Sequence, residues 1–401
     1  MKALGTATVA WLLLLGITIA QSPSPFPGTI DQHPAINYGG GVLNDTVTVL
    51  QRQVDAGVVK LAFEGQQGFL RSVLEKLSVP AESQVLLFSK TGIQRDFTSP
   101  ERPRALYFND RVVVGYIPGA PLLEIASHDP TQGVIFRTLE QLPVVRFARP
   151  DGCLGCHRSA NSMDVPGILV RSMFTAPDGR TIQSLGSFIV DHRSQLEQRW
   201  GGWYVTGGHG RARHMGNAMI ANIDKPEAAI GEGTLNRSTL IERVDAAAYP
   251  RNTSDIAALL VFDHQGHAIN LLTRLGWETR IAAAEQRLDF STGELRDLAK
   301  ELADYFVFAG EAPLNGAVES NGGFAKVFTE AGVRDRKGRS LRELDLQTRL
   351  FKYRCSYMIY SPAFDALPRA AQFAVFARLR EQLTDRDTME ILDDTKPGWR
   401  E

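Results

Sequence analysis

Two spacings of apolar residues divide the chain. From Asn44 onward, Val47, Leu50 and Val54, then Phe69, Val73 and Leu77, recur every three or four positions. That is the period of helices with one buried face, and Asn44 or Asp45 supplies the side-chain oxygen that caps the first of them. Between Gln84 and Glu140 the apolar runs become short: "QVLLFS", "RALYF", "RVVVGYI", "PLLEIASH" and "GVIFRTL", broken at Asn109-Asp110, Pro118-Gly119 and Gln132-Gly133. Such runs between turn formers predict a β meander. Further on, "GILVRSMFTAPDGRTIQSLGSFIV" predicts a hairpin around Pro177-Asp178-Gly179.

Beyond Asn222 the pattern returns to helical spacing. "SDIAALLVFDHQGHAINLLTRLGWETRIAAAE" predicts one long amphipathic helix or two. Ser291 and Glu294 predict a capping box ahead of Leu295, Leu298, Leu302 and Phe306, and "LPRAAQFAVFARLREQL" predicts a closing helix from Pro368. The fold class is therefore α+β, with a β-rich middle and a largely helical C-terminal part. Residues 21–43, rich in Pro, Gly and Ser, are expected to be an extended or mobile leader. Residues 44–225 form the α+β region, and residues 226–401 a helical region packed on the same domain.

Composition narrows the class. Lys and Arg number 44 against 45 Asp and Glu, so the chain lacks the basic excess that a phosphate backbone demands, and nucleic acid is not an expected partner. Residues 1–20 join Lys2 to the apolar run "WLLLLGITIA", with small residues at Thr18 and Ala20 before Gln21: an export signal. Uncleaved, the same run would be a single-helix anchor, and only then is membrane contact expected.

Three cysteines occur in 401 residues, and two of them stand with a histidine in "RPDGCLGCHRSANSMDVPG". Cys-x-x-Cys-His is the spacing at which two thiols add across the vinyl groups of haem while the following imidazole reaches the iron. Cys153 and Cys156 are the expected thioether anchors and His157 the expected proximal ligand. Two other chemistries compete for the motif. A structural zinc needs four ligands, and no second cysteine pair exists; a dithiol redox site expects a βαβ context that the flanking residues lack. Cys355, in "LFKYRCSYMIYSPAF", is expected to be a buried inert thiol.

One motif implies one covalent haem c, and the far side of the iron then separates a carrier from an enzyme. The stretch "QRWGGWYVTGGHGRARHMGNAM" supplies His209, His214 and Met215 as candidate distal ligands, one of the three being expected to bind. His264 on the long helix ranks below them. His192 and Met163 rank lower again.

The phrases "RALYFNDRVVVGYI", "CLGCHRSANSMDVPGILVRSMF", "RWGGWYVTGGHGRARHMGN" and "GRSLRELDLQTRLFKYRCSYMIYSPAFDALP" resemble a family of exported bacterial proteins with a single haem c attachment motif, the cytochrome c domain-containing proteins. The resemblance runs from about Gln84 to Leu383. It implies haem c at Cys153, Cys156 and His157, and brings no reaction or substrate with it. A simple cytochrome c is an all-α unit of roughly 100 residues, which this chain is not. The expectation is a periplasmic monohaem cytochrome that passes single electrons to a redox protein in the periplasm or at the membrane face. The alternative is a haem oxidoreductase of peroxidase type, its distal side open or weakly closed near Arg211, Arg213 and His214.

Overall fold

The computed structural model describes residues 28–231 and 233–401, so the export signal and the first part of the expected leader lie outside the described residues. The meander is present. Strands β1 (Val85–Leu87), β2 (Arg104–Phe108), β3 (Val112–Tyr116), β4 (Leu122–Asp129), β5 (Gly133–Glu140) and β6 (Phe147–Ala148) pair antiparallel in sequence order. Beyond β1 the sheet is extended by β9 (Trp203–Tyr204), giving the order β6-β5-β4-β3-β2-β1-β9. A separate two-stranded ribbon joins β7 (Arg171–Met173) to β8 (Ser187–Ile189). Its connection folds back at Pro177-Asp178-Gly179, where the Thr175 to Thr181 bridge continues the hairpin expected there.

Alternate residues of a strand point to opposite faces, and here both faces are apolar. Leu86, Ala105, Tyr107, Val112, Val114, Leu123, Ile125 and Leu139 form one face, covered by α1 (Thr46–Asp55) and α2 (Leu70–Lys76). Val85, Leu87, Phe108, Val113 and Val134 form the other. That face belongs to a large core shared with α4 (Ile256–Ala284), α5 (Gly293–Phe306), α6 (Phe324–Glu330), α7 (Pro362–Asp365), α8 (Arg369–Gln382) and α9 (Arg386–Thr395). A single-turn helix, α3 (Leu154–His157), carries the cysteine motif. Among the described residues no helix is long and apolar enough to cross a membrane.

Three local expectations need correction. The long apolar run is one helix, α4, but it is not amphipathic: from Ile256 to Ala282 nearly every residue is buried, polar ones included, because sheet, ribbon and C-terminal helices surround it. The capping box does not form; Thr292 occupies the N-cap of α5, Ser291 bonds back to Asp289, and Glu294 pairs with Arg274. The described part of the leader is packed rather than extended. Ile36 joins Val165, Trp277 and Ile281 in a small core, and Arg158 pairs with Asp31. Helix α9 falls beyond the elements that spacing suggested, since only Ile391 and Leu392 of its apolar residues are buried.

The sheet and α1 are joined by a buried ion pair. Asp45 caps α1 by accepting from the amides of Val47 and Thr48, each at 3.1 Å, and its two oxygens receive both terminal nitrogens of Arg137 at 2.9 Å. Burial alone would raise the Asp45 carboxyl; the Ser127 and Thr48 hydroxyls and the Arg137 guanidinium outweigh it and hold the pKa below the ordinary carboxylate range. Arg137→Met leaves that carboxylate buried and unpaired, and denaturant titration should show a loss of about 3–5 kcal/mol. Because the folded pKa lies below the unfolded value of about 4, this contribution is present above that pH and is lost as pH falls through the folded value. The variant's deficit should therefore shrink in acid.

Candidate cofactor site

Strand β6 is the sheet edge, and the chain leaves it directly into the motif. Arg149 and Pro150 lead to a 3-10 turn, Asp151–Cys153, and then to α3. Both thiols are free; Cys153 is half-buried and Cys156 exposed. Burial and, next, the Glu124 carboxylate push the Cys153 thiol up. A four-residue helix has too few hydrogen bonds to hold itself, so its geometry must be imposed from outside.

The imposition acts through the loop that follows. Ser159 and Ser162 bond reciprocally around a 3-10 turn, and Met163 and Asp164, both at positive φ, turn the chain back under α3. Gly167 then meets His157 twice: its amide donates to the His157 carbonyl at 2.9 Å, and its carbonyl lies 3.0 Å from Nδ1 of the imidazole. Gly167 is itself placed by Asn270 of α4, whose side chain accepts from the Ile168 amide and donates to the Ile168 carbonyl, each at 2.8 Å. A Cβ at position 167 would stand 2.3 Å from the Asn270 oxygen, so glycine is required there. Arg274, one turn along α4, donates to the Met163 carbonyl.

These contacts decide the state of the imidazole. A carbonyl only accepts, so Nδ1 of His157 carries the hydrogen. Burial lowers the pKa of His157, opposed in part by the Gly167 carbonyl, so the ring is neutral at pH 7. The lone pair is therefore on Nε2, which has no protein partner among the described residues. This is the arrangement of a metal-binding histidine, one nitrogen fixed by a backbone carbonyl and the other left to coordinate.

Beside His157 the sheet face is only half covered. The imidazole packs on Phe136 with ring centroids 4.6 Å apart. Cross-strand pairing sets Phe136 opposite Ala126 and Ala126 opposite Val113; the next row holds Leu106, Gly115, Glu124 and Thr138. Of these, Leu106, Glu124, Ala126 and Phe136 are half-buried, as is Phe188 of the ribbon. Cysteines, imidazole and this apolar patch lie together.

The expected distal residues lie elsewhere, each engaged with partners of its own. His209 accepts from the Asn236 amide at 2.9 Å and lies 3.2 Å from His214, Nε2 to Nε2. Burial, then His209, drives His214 down to about 3. Met215 receives the Ser172 hydroxyl on its sulfur at 3.6 Å. His264 contacts His192 at 2.8 Å and Ser356 at 2.6 Å, and burial lowers it to about 3. The structure thus brings His209 to His214 and His192 to His264, and neither pair makes a hydrogen bond or ring contact with His157. Among the described residues no three His, Cys, Asp or Glu side chains converge on one site. Cys355 is fully buried, as expected of an inert thiol.

Spacing did not point to Gly167, Phe136 or Asn270. The last had a usable signal: an amide in the middle of an apolar helix, which has to find partners once buried. No family model matches the chain, and neither a curated protein nor a solved structure matches it.

Asn270→Leu strands the amide and carbonyl of Ile168 in the core, at about 1–3 kcal/mol for each unsatisfied group. It also frees the Gly167 carbonyl. Thermal or denaturant unfolding should register the loss, and 15N NMR of the His157 ring should change from a single Nδ1–H tautomer to a mixture.

Proposed function

We propose that the chain is a monohaem c-type cytochrome of the bacterial periplasm, exported by residues 1–20, whose role is single-electron transfer with a redox protein partner. The observation that carries the reading is the fixed state of His157: neutral, Nδ1 hydrogen-bonded to the Gly167 carbonyl, Nε2 free. The rest of the site fits the same group. Free thiols at Cys153 and Cys156 are the residues that would form the thioethers, and the half-buried faces of Leu106, Ala126, Phe136 and Phe188 offer apolar contact to a macrocycle. Bound there, haem supplies a one-electron iron couple whose potential follows its ligands, hydrogen bonds and burial. The chain's own contribution is to orient the imidazole, keep it neutral and exclude water from one side. The resemblance to exported haem c proteins supports the same reading.

A second reading has an observation behind it. His209, His214, Met215 and His264 are all committed to internal contacts. An iron on His157 would then keep its sixth position open, as in a haem oxidoreductase of peroxidase type.

Expressed with haem c maturation, the protein should gain one haem by mass and show a c-type pyridine haemochrome; absence of both would sink the haem assignment. Cys153→Ser with Cys156→Ser should abolish covalent haem without unfolding the chain, since both thiols are at least partly exposed. Spin state divides the two readings. A high-spin ferric spectrum that binds cyanide and is unchanged in Met215→Leu supports the open site, whereas a low-spin spectrum that ignores cyanide supports the carrier.

A further inference from the structure

The half-covered sheet face beside His157 carries a carboxylate in the row next to Phe136, Glu124, while Glu140 lies one row further along the same face. Glu124 lies on β4, where strand alternation turns it to the same side as Ala126, roughly 7 Å along the strand. Its row, Leu106, Gly115, Glu124 and Thr138, is the one adjacent to the row of Ala126 and Phe136, on which the His157 ring rests. Two polar groups hold it. Gln94 donates to its Oε1 at 2.9 Å, and an Arg104 nitrogen stands 3.5 Å from the same oxygen.

The order of these charges matters. Arg104 is opposite Leu87 on β1, one row further from the motif than Leu106, and its guanidinium donates to the Thr91 carbonyl at 2.8 Å. Glu124 therefore sits one row nearer the motif than Arg104, and the nearer charge has the larger effect. Its side chain is 23% exposed, so salt screens it less than a surface carboxylate.

We propose that Glu124 is the charge that sets the reduction potential at this site, holding it low by favouring the oxidised state. Ferric iron carries one more positive charge than ferrous iron, so a fixed negative charge nearby stabilises the oxidised form. Gln94 keeps the carboxylate in place, and Arg104 moderates it from behind. The inference rests on haem attachment at Cys153, Cys156 and His157, and makes Glu124 a tuning residue rather than a ligand.

The test uses the full chain matured with haem c, comparing wild type with Glu124→Gln, Glu124→Asp and Arg104→Gln. Haem content by mass is read first, then the midpoint potential by spectroelectrochemical titration. Glu124→Gln keeps the shape and an acceptor for Gln94, so it should load haem as wild type does and titrate at a higher potential. Glu124→Asp keeps the charge and should stay near wild type. Arg104→Gln removes the compensating cation and should shift the potential the opposite way. Equal potentials in loaded wild type and Glu124→Gln would overturn the role of Glu124 while leaving haem binding intact. A shift in Glu124→Asp as large as in Glu124→Gln would overturn it too, by showing that shape and not charge is felt. Wild type without covalent haem would overturn both.

Discussion

The contact on which the site depends is made by a residue 113 positions from the imidazole it controls: Asn270 gripping both backbone groups of Ile168. Each bond alone is ordinary, worth about 1 kcal/mol net. Together they fix the rotation of the chain at Gly167, and with it the direction of the carbonyl that meets His157 Nδ1. The state of the imidazole is thus decided by a side chain from the middle of the most buried helix in the molecule. Because α4 is enclosed on all sides, Asn270 has no freedom to leave, and water cannot replace it.

The sheet is covered on its two sides by different parts of the chain. One face is closed by α1 and α2, through apolar contact and the Asp45 to Arg137 pair. The other is closed by α4 and the C-terminal helices except near β4 and β5, where Ala126 and Phe136 remain half-buried. A sheet face that is apolar yet incompletely covered leaves room for a flat apolar group to seat. Here the neighbouring edge strand delivers two thiols and a neutral imidazole to that gap.

The meander and the two opening helices were legible because each is written in local spacing: alternation and turn formers for strands, and three-and-four spacing for α1 and α2. The relation between the motif and its surroundings was not. Gly167 is ten residues from His157, but what it does depends on Asn270, and no local pattern links those two. Glu124 reads as an ordinary outward polar residue of a half-buried strand until the register places it one row from Phe136. The histidines of the glycine-rich stretch show the same limit of local pattern. Sequence proximity gathered His209, His214 and Met215 into one group, whereas folding turned them inward toward Asn236, each other and Ser172.

The size of the protein around so short a motif follows from helix physics. In a self-contained helical cytochrome the attachment residues sit on a helix long enough to be stable against its neighbours. Here α3 is four residues, a single turn, far below the roughly 12–15 residues at which an isolated helix becomes even marginally stable. It cannot orient an imidazole by itself. The missing rigidity is imported: β6 anchors the entry, Arg158 ties the exit to Asp31, Arg274 holds Met163, and Asn270 sets Gly167. Those partners come from the N-terminal segment, the sheet and α4, and they span the chain from Asp31 to Arg274. A one-turn motif braced in this way keeps its imidazole and thiols at fixed positions without a helical domain of its own, and leaves the sheet beside it free to supply the flat apolar wall and the Glu124 carboxylate.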